Sequence, residues 1–224
     1  RPIKTTKTAL LARGVTLTYL GVMVALPLVV LAWQSLSAGP VAFWARVSDP
    51  FAAHALWLTF TTAFIMVAIN VCVGTLTSWV LVRYEFPGKA FMNALIDLPF
   101  AVPTVVTGLM LVSLYGPTST LGAILGRFGL AVIYQKPGIV LALLFVSYPF
   151  VIRSVQPVLL EMDRQEEEAA STLGADSWTI FRRVTLPTLL PAILTGTALA
   201  FSRALGEFGS IVMVAGNQIG RAHV

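Results

Sequence analysis

Charge is what this chain of 224 residues has least of. Asp, Glu, Lys and Arg together make up 11% of it, against roughly a quarter of a soluble domain. Fifteen basic and ten acidic residues cannot cover the surface of a water-soluble globule of this length. Cysteine occurs once, at Cys72, which excludes an internal disulfide, and two histidines leave no Cys/His cluster with zinc spacing. No dense basic run accompanies the net charge of +5, so a nucleic-acid-binding surface is excluded. A phosphate-binding loop is missing too: Gly88-Lys89 has no glycine five positions before Gly88 and no Ser or Thr after Lys89. The chain is therefore expected to hold no ATPase site and no cofactor of its own. What it has in abundance is apolar surface, 57% hydrophobic residues with a mean hydropathy of +0.83. Lipid is the solvent for much of it.

Stretches without Asp, Glu, Lys or Arg run over 14–45, 50–82, 98–126, 137–152 and 184–202. A helix needs about 20 residues to cross a hydrocarbon core of roughly 30 Å, with about 17 as a practical minimum. The pattern predicts five helices near 15–36, 57–82, 97–115, 137–155 and 187–205. The fourth stretch is short unless Lys136 and Arg153 snorkel their charged heads toward the interfaces. Arg1, Lys4, Lys7 and Arg13 precede the first span, whereas only Arg46 follows it, so the positive-inside bias sets the N-terminus in the cytoplasm. Alternating from there puts ten basic residues inside and four outside, with a long inner loop over about 156–186. The first apolar run exceeds the 7 to 15 residues typical of a signal peptide, and is read as a span.

The C-terminus departs from this pattern. The apolar run from Phe208 to Ala215 leads nowhere, so a sixth, closing span is expected to be truncated. Ile219 to Val224 reads I-G-R-A-H-V, the translation of a common sequencing-adapter sequence. The expected organisation is a single transmembrane domain over 1–217 with a non-native tail at 218–224. Whether Arg1 is the true start is left open.

The inner loop carries the most information. Asp163 with Glu166 has capping-box spacing, Gly174 is a natural left-handed helix stop, and Asp176 can cap a second short helix carrying Trp178, Phe181 and Val184. Pro187 is expected to reset the chain for the fifth span. Ala169 and Ala170 are small enough to let another backbone approach closely. Glu168-Ala169-Ala170, three residues, Gly174, nine residues, then Val184-x-Leu186-Pro187 resembles the E-A-A-x3-G-x9-I-x-L-P signature of ABC importer permeases, with Val184 where isoleucine is usual. Six of its seven fixed positions match over 20 residues. The resemblance implies an all-α polytopic membrane bundle of the MetI-like type. It also implies a coupling loop in which Glu168, Ala169, Ala170 and Gly174 dock on a cytoplasmic ATPase, with Leu186 and Pro187 at the junction with the next span.

Four more stretches, Arg83-Tyr-Glu-Phe-Pro-Gly-Lys89, Asp97-Leu-Pro-Phe-Ala-Val-Pro103-Thr, Pro149 to Val158 and Arg203-Ala-Leu-Gly-Glu-Phe-Gly209, resemble the T-type sulfate/thiosulfate permease subunits. That resemblance implies a multi-pass protein of the bacterial inner membrane. Its partners would be an ATPase dimer binding ATP and Mg, a W-type second permease subunit and a periplasmic sulfate-binding protein. Molybdate and tungstate permeases share the Gly-Glu-Phe-Gly element and the loop signature, so they remain the alternative, and heterodimer against homodimer stays open. A channel or secondary transporter would use similar spans without the coupling signature. An intramembrane enzyme would need a catalytic set that no span holds.

Charges at membrane depth are costly and mark functional candidates. Arg203 and Glu207 are four apart and can pair, either beside an anion path or as a structural ion pair. Asp97 is expected to start the third helix and favour its N-terminus. Pro99, Pro103 and Gly108 weaken that helix, as in broken helices near transport sites, and Thr104 and Thr107 could offer hydroxyls to an oxyanion. Cys72 is read as small apolar filling.

Overall fold

Without water to satisfy backbone groups, a chain this apolar must close its hydrogen bonds within each segment. The computed structural model describes residues 7–216, and every regular element among them is a helix. The expected tail at 218–224 and the first six residues lie outside the described residues. Contacts divide the chain into two compact units, Arg1–Ala55 and Leu56–Val224.

In the first unit, α1 (Lys7–Leu20), a π turn (Gly21–Ala25) and α2 (Leu26–Leu36) run on as one apolar helix, of which Ala9–Leu36 is long enough to span a membrane. Pro27 explains the π turn. A proline lacks an N–H and its ring collides with the carbonyl four residues back; here the Leu26 N–H reaches five residues back to Gly21 instead. Gly39, at φ +90, turns the chain into the short α3 (Pro40–Val47). The Asp49 carboxylate then accepts from the Phe51 N–H and caps α4 (Pro50–Arg83).

The second unit continues α4 and adds α5 (Lys89–Ala101), α6 (Thr104–Tyr115), α7 (Thr120–Arg127), α8 (Lys136–Glu161), α9 (Arg164–Thr172), α10 (Ser177–Ile180), a second π turn (Phe181–Thr185), α11 (Leu186–Leu205) and α12 (Gly209–Ala215). Helix α8 is central, with Val151, Val155 and Leu159 buried against Leu189, Ala192, Ile193 and Ala200 of α11. Small residues permit that approach. Ala192, Gly196, Ala200 and Ala204 recur every fourth residue on the buried side of α11, and a Cβ on Gly196 would fall 2.8 Å from the Val151 Cα. Small-xxx-small stripes of this kind let membrane helices pack backbone to backbone. Gly74 serves the opposite side of Val151, where a Cβ would lie 3.1 Å from the valine Cβ. Polar side chains of α4 bond across to α8: Asn70 Nδ2 donates to the Ser147 carbonyl at 2.8 Å, Ser78 Oγ to the Ile152 carbonyl at 3.3 Å, and Thr77 shares a 2.7 Å hydrogen bond with the Tyr148 hydroxyl.

Among the described residues four helices are long and apolar enough to cross a membrane, Ala9–Leu36, Pro50–Arg83, Lys136–Glu161 and Ser177–Leu205, and α5 with α6 make a fifth if the bent pair is counted as one. The chain is thus an all-α, multi-pass membrane protein. Several expectations change in detail. The expected third helix at 97–115 is a pair of helices beginning at Lys89 and bent by 115°. Val102 is extended ahead of Pro103, as a residue before proline prefers. Asp97 therefore does not start a helix; it lies inside α5 and pairs with Arg153 at 2.7 Å. The fourth helix is not short, because α8 continues eight residues past Arg153 to Glu161, and the Arg153 guanidinium is held by Asp97, Asn93 and Gln156. Nor does Pro187 separate two helices. The π turn at Phe181–Thr185, with the Leu186 N–H bonded to the Phe181 carbonyl, carries one continuous helix from Ser177 to Leu205 past the proline, as the first π turn does ahead of Pro27. Cys72 is exposed on α4 and fills no interior gap.

Candidate functional site

The end of α4, the start of α5, the end of α8 and the start of the Ser177–Leu205 helix gather at one end of the second unit, with α9 held among them. Local chemistry builds α9. The Asp163 carboxylate accepts from the Gln165 N–H at 2.9 Å, and Glu166 and Glu167 occupy the first turn, where the helix dipole favours negative charge. Gly174, at φ +85, closes the helix, and the Ala175 N–H reaches back to the Ala170 carbonyl. Nothing crowds Gly174, so its backbone conformation rather than its size requires glycine. Thr179 Oγ1 donates to the Asp176 carboxylate and holds that acid below its ordinary range, against a smaller opposing effect of burial.

Of the residues marked by the sequence, Glu168, Ala169 and Gly174 are exposed, Ala170 is half-buried toward its own chain, Leu186 packs on the α8–α11 core and Pro187 is exposed. Beside them Leu173 is 88% and Trp178 65% exposed, an apolar surface where the chain leaves the spans.

The anchor of α9 lies one residue from the signature. Glu167 Oε1 accepts from Arg83 at 2.6 Å and from the Thr185 hydroxyl at 2.8 Å, which joins α9 to the end of α4 and to the π turn at once. Thr185 is fully buried and the Arg83 side chain only 11% exposed. The Arg83 guanidinium lies 5.0 Å over the Trp79 ring, Trp79 meets Phe181 edge-on at 5.9 Å, and Phe181 stacks on Trp178 at 5.7 Å. None of Glu167, Arg83 or Thr185 stands out in the sequence as a site. One signal was present: on a helix, Glu167 and Ala170 share a face, the one that turns inward.

A second polar cluster sits on α8. Arg153 binds both Asp97 oxygens, at 2.8 and 2.7 Å, the Asn93 side chain at 3.3 Å and carbonyl at 3.0 Å, and Gln156 at 2.6 Å. It ties the first half of the bent pair to α8.

The residues proposed for an anion path fall in two places. Arg203 and Glu207 pair at 2.7 Å, and Glu207, almost wholly buried, also accepts from the Ser210 N–H and hydroxyl, each at 2.9 Å. Thr104 opens α6 beside Gly209, where a Cβ would come within 3.2 Å of the Val105 amide nitrogen. Gly108 makes a second close approach, since a Cβ there would stand 2.8 Å from the Ser210 carbonyl. The start of α6 and the Gly-Glu-Phe-Gly turn are thus one packed unit. Thr107, buried, lines a cavity of about 1060 Å³ among α4, α5, α6 and α8 together with Asn70, Thr77 and Tyr148. The cavity wall is mostly apolar and carries no charged residue; a bare dianion would be poorly solvated there.

Residues 70–223 match the family described as the binding-protein-dependent transport system inner membrane component. The chain belongs to this family. The match takes in α9, the π turn and the whole bent pair. Curated relatives agree with it. The permease is 51% identical over 172 residues to the "Probable sulfate transport system permease protein cysT" of Chlorella vulgaris, covering 77% of this chain and 65% of that one. It is 46% identical over 202 residues to the protein of the same name from Chlorokybus atmophyticus, covering 90% and 71%. The "Sulfate transport system permease protein CysT" of Synechocystis is 45% identical over 203 residues, covering 91% and 71%. The permease spans about two thirds of the length of these relatives.

Proposed function

We propose that the chain is the transmembrane permease subunit of an ATP-binding-cassette importer for sulfate or thiosulfate, coupled to a separate ATPase through α9 and the turns around it. The single observation that carries the substrate is the 45–51% identity to sulfate transport permeases along most of the chain. The coupling role rests on Glu168, Ala169, Ala170 and Gly174, on a short capped helix with its outer face free, and on Leu186 and Pro187, where that helix hands over to α11. On this reading the chain has no ATPase site or cofactor of its own. ATP and Mg are bound by a cytoplasmic ATPase dimer, a W-type subunit completes the path, and a periplasmic sulfate-binding protein delivers the anion. The chain lies in the bacterial inner membrane with its N-terminus and α9 cytoplasmic. Residues 1–217 act as one permease domain.

Energy enters as a population shift: ATP-bound and nucleotide-free ATPases favour different arrangements of the spans, and α9 carries the difference. The path is placed beside the start of α6 and the Gly-Glu-Phe-Gly turn, with Thr104, Thr107, Arg203 and Glu207 as its candidate residues. Arg203 and Glu207 act there as a neutralised pair that fixes the turn.

The test is uptake of radiolabelled sulfate, with and without excess molybdate, in cells lacking their own sulfate importer and carrying the full-length gene with its adjacent transporter genes. Restored uptake that resists molybdate supports the proposal. Molybdate accumulation without sulfate uptake moves the subunit to the molybdate/tungstate class.

A further inference from the structure

The coupling signature singles out Glu168, but Glu168 is exposed, and it is Glu167 that the chain itself grips. Three features make that grip more than a surface ion pair. First, one carboxylate oxygen serves two elements far apart in sequence, Arg83 at the end of α4 and Thr185 in the π turn that begins the α11 span. Second, both partners are largely or wholly buried, so neither exchanges Glu167 for water at low cost: Thr185 is fully buried, and the Arg83 side chain, which reaches Glu167 through Nη2, is 11% exposed. Third, the partners are anchored beyond Glu167, Arg83 through Trp79 and Trp79 through Phe181. Phe181 and Thr185 are the first and last residues of the π turn. Such turns have a less regular hydrogen-bond ladder than α-helix and frequently sit at functional positions.

From these we propose that Glu167 is the positioning residue through which a displacement of α9 is delivered to two spans at once, α4 through Arg83 and α11 through Thr185 and the π turn. The proposal rests on the coupling role given to α9 above. A displacement of α9 against fixed spans must break the Arg83 ion pair and the Thr185 hydrogen bond together; while both hold, α9, the end of α4 and the π turn move as one body. Glu168 and Ala169 face outward on the same helix, and Glu167 and Ala170 face inward. Docking and transmission are thereby assigned to opposite sides of α9.

The role separates from simple support of the fold by the number of anions moved per ATP hydrolysed. The full-length permease is assembled with its ATPase and second subunit in proteoliposomes, and Glu167→Gln is compared with wild type. Glutamine keeps an acceptor oxygen for Thr185 and Arg83 but removes the charge. Thr185→Val, which loses the hydroxyl at nearly constant volume, is the second variant. The expected result is ATPase co-purification at the wild-type level and a fall of about fivefold or more in anions moved per ATP for Glu167→Gln, with a smaller fall for Thr185→Val. An unchanged ratio in both variants overturns the proposal. So does loss of assembly in both, which would mark Glu167 as a support of the fold alone. The ratio is read with whichever oxyanion the wild-type complex carries. A complex that moves molybdate and not sulfate overturns the substrate reading while leaving this test intact, and a wild-type chain that retains no ATPase overturns the coupling reading beneath both.

Discussion

On α9 the side chain of Ala169 points away from the body of the permease while that of Ala170 is turned toward it. An arginine at 169 therefore leaves the chain's own packing alone and obstructs only what approaches from outside. Ala169→Arg is expected to insert at the wild-type level but to lose most of the co-purified ATPase, measured as the ratio of the two proteins after affinity purification; an unchanged ratio would show that this face docks nothing. Asp176 gives a second residue-scale outcome. The hydrogen bond from Thr179 lowers its pKa in the folded chain, so its contribution is present above the ordinary carboxylate range and is lost as pH falls through the folded value. Thr179→Val should move the Asp176 titration upward toward the ordinary range, read by carboxylate NMR or by infrared difference spectra. Asp176 lies on the exposed surface, so the change concerns local order at the start of α10 rather than global stability.

Packing decides matters at the scale of elements. Helices α8 and α11 touch through glycine, and a side chain at Gly196 must displace the Val151 backbone rather than a flexible tip. Gly196→Val is expected to destabilise the bundle by about 1 to 3 kcal/mol, as overpacking does, seen as a lower midpoint of thermal unfolding in detergent. The positions of the spans were legible because charge-free runs are what lipid demands, and the loop was legible because Gly174 and the Ala pair have chemical reasons to be where they are. The ends were not. Charged residues at helix ends can stay helical outside the hydrocarbon, so α8 runs to Glu161, and the Asp49 cap lets α4 begin at Pro50. Pro187 reads as a break in any local rule, yet a π turn absorbs it, and that turn depends on Thr185 and Phe181 finding partners in α9 and α4. The 115° bend between α5 and α6 was foreshadowed by Pro99 and Pro103, but its direction is set by Gly108 and Gly209 meeting α12 and α6 at close range. Those are tertiary facts. Glu167 stayed hidden for the same reason: helical spacing puts it on the face of Ala170, but only the packed structure says that this face turns inward.

For the molecule as a whole, the placement of charges and of α9 makes a topological claim. With Cys72 replaced by serine, a cysteine introduced at Leu173, 88% exposed beside Gly174, should react with a membrane-impermeant maleimide in inside-out vesicles and not in intact cells; labelling from outside would reverse the orientation of every span. The larger claim is that this chain is the passive half of a machine, supplying spans and a coupling loop while another protein spends the ATP. The measurement that reaches that claim most directly is accumulation of radiolabelled sulfate by proteoliposomes holding the full-length permease, its second subunit, its ATPase and the sulfate-binding protein. Accumulation against a gradient that starts with ATP and disappears when the ATPase is left out is the result predicted. Accumulation by the permease subunits alone, driven by an ion gradient and indifferent to ATP, would contradict it and make the chain a secondary transporter.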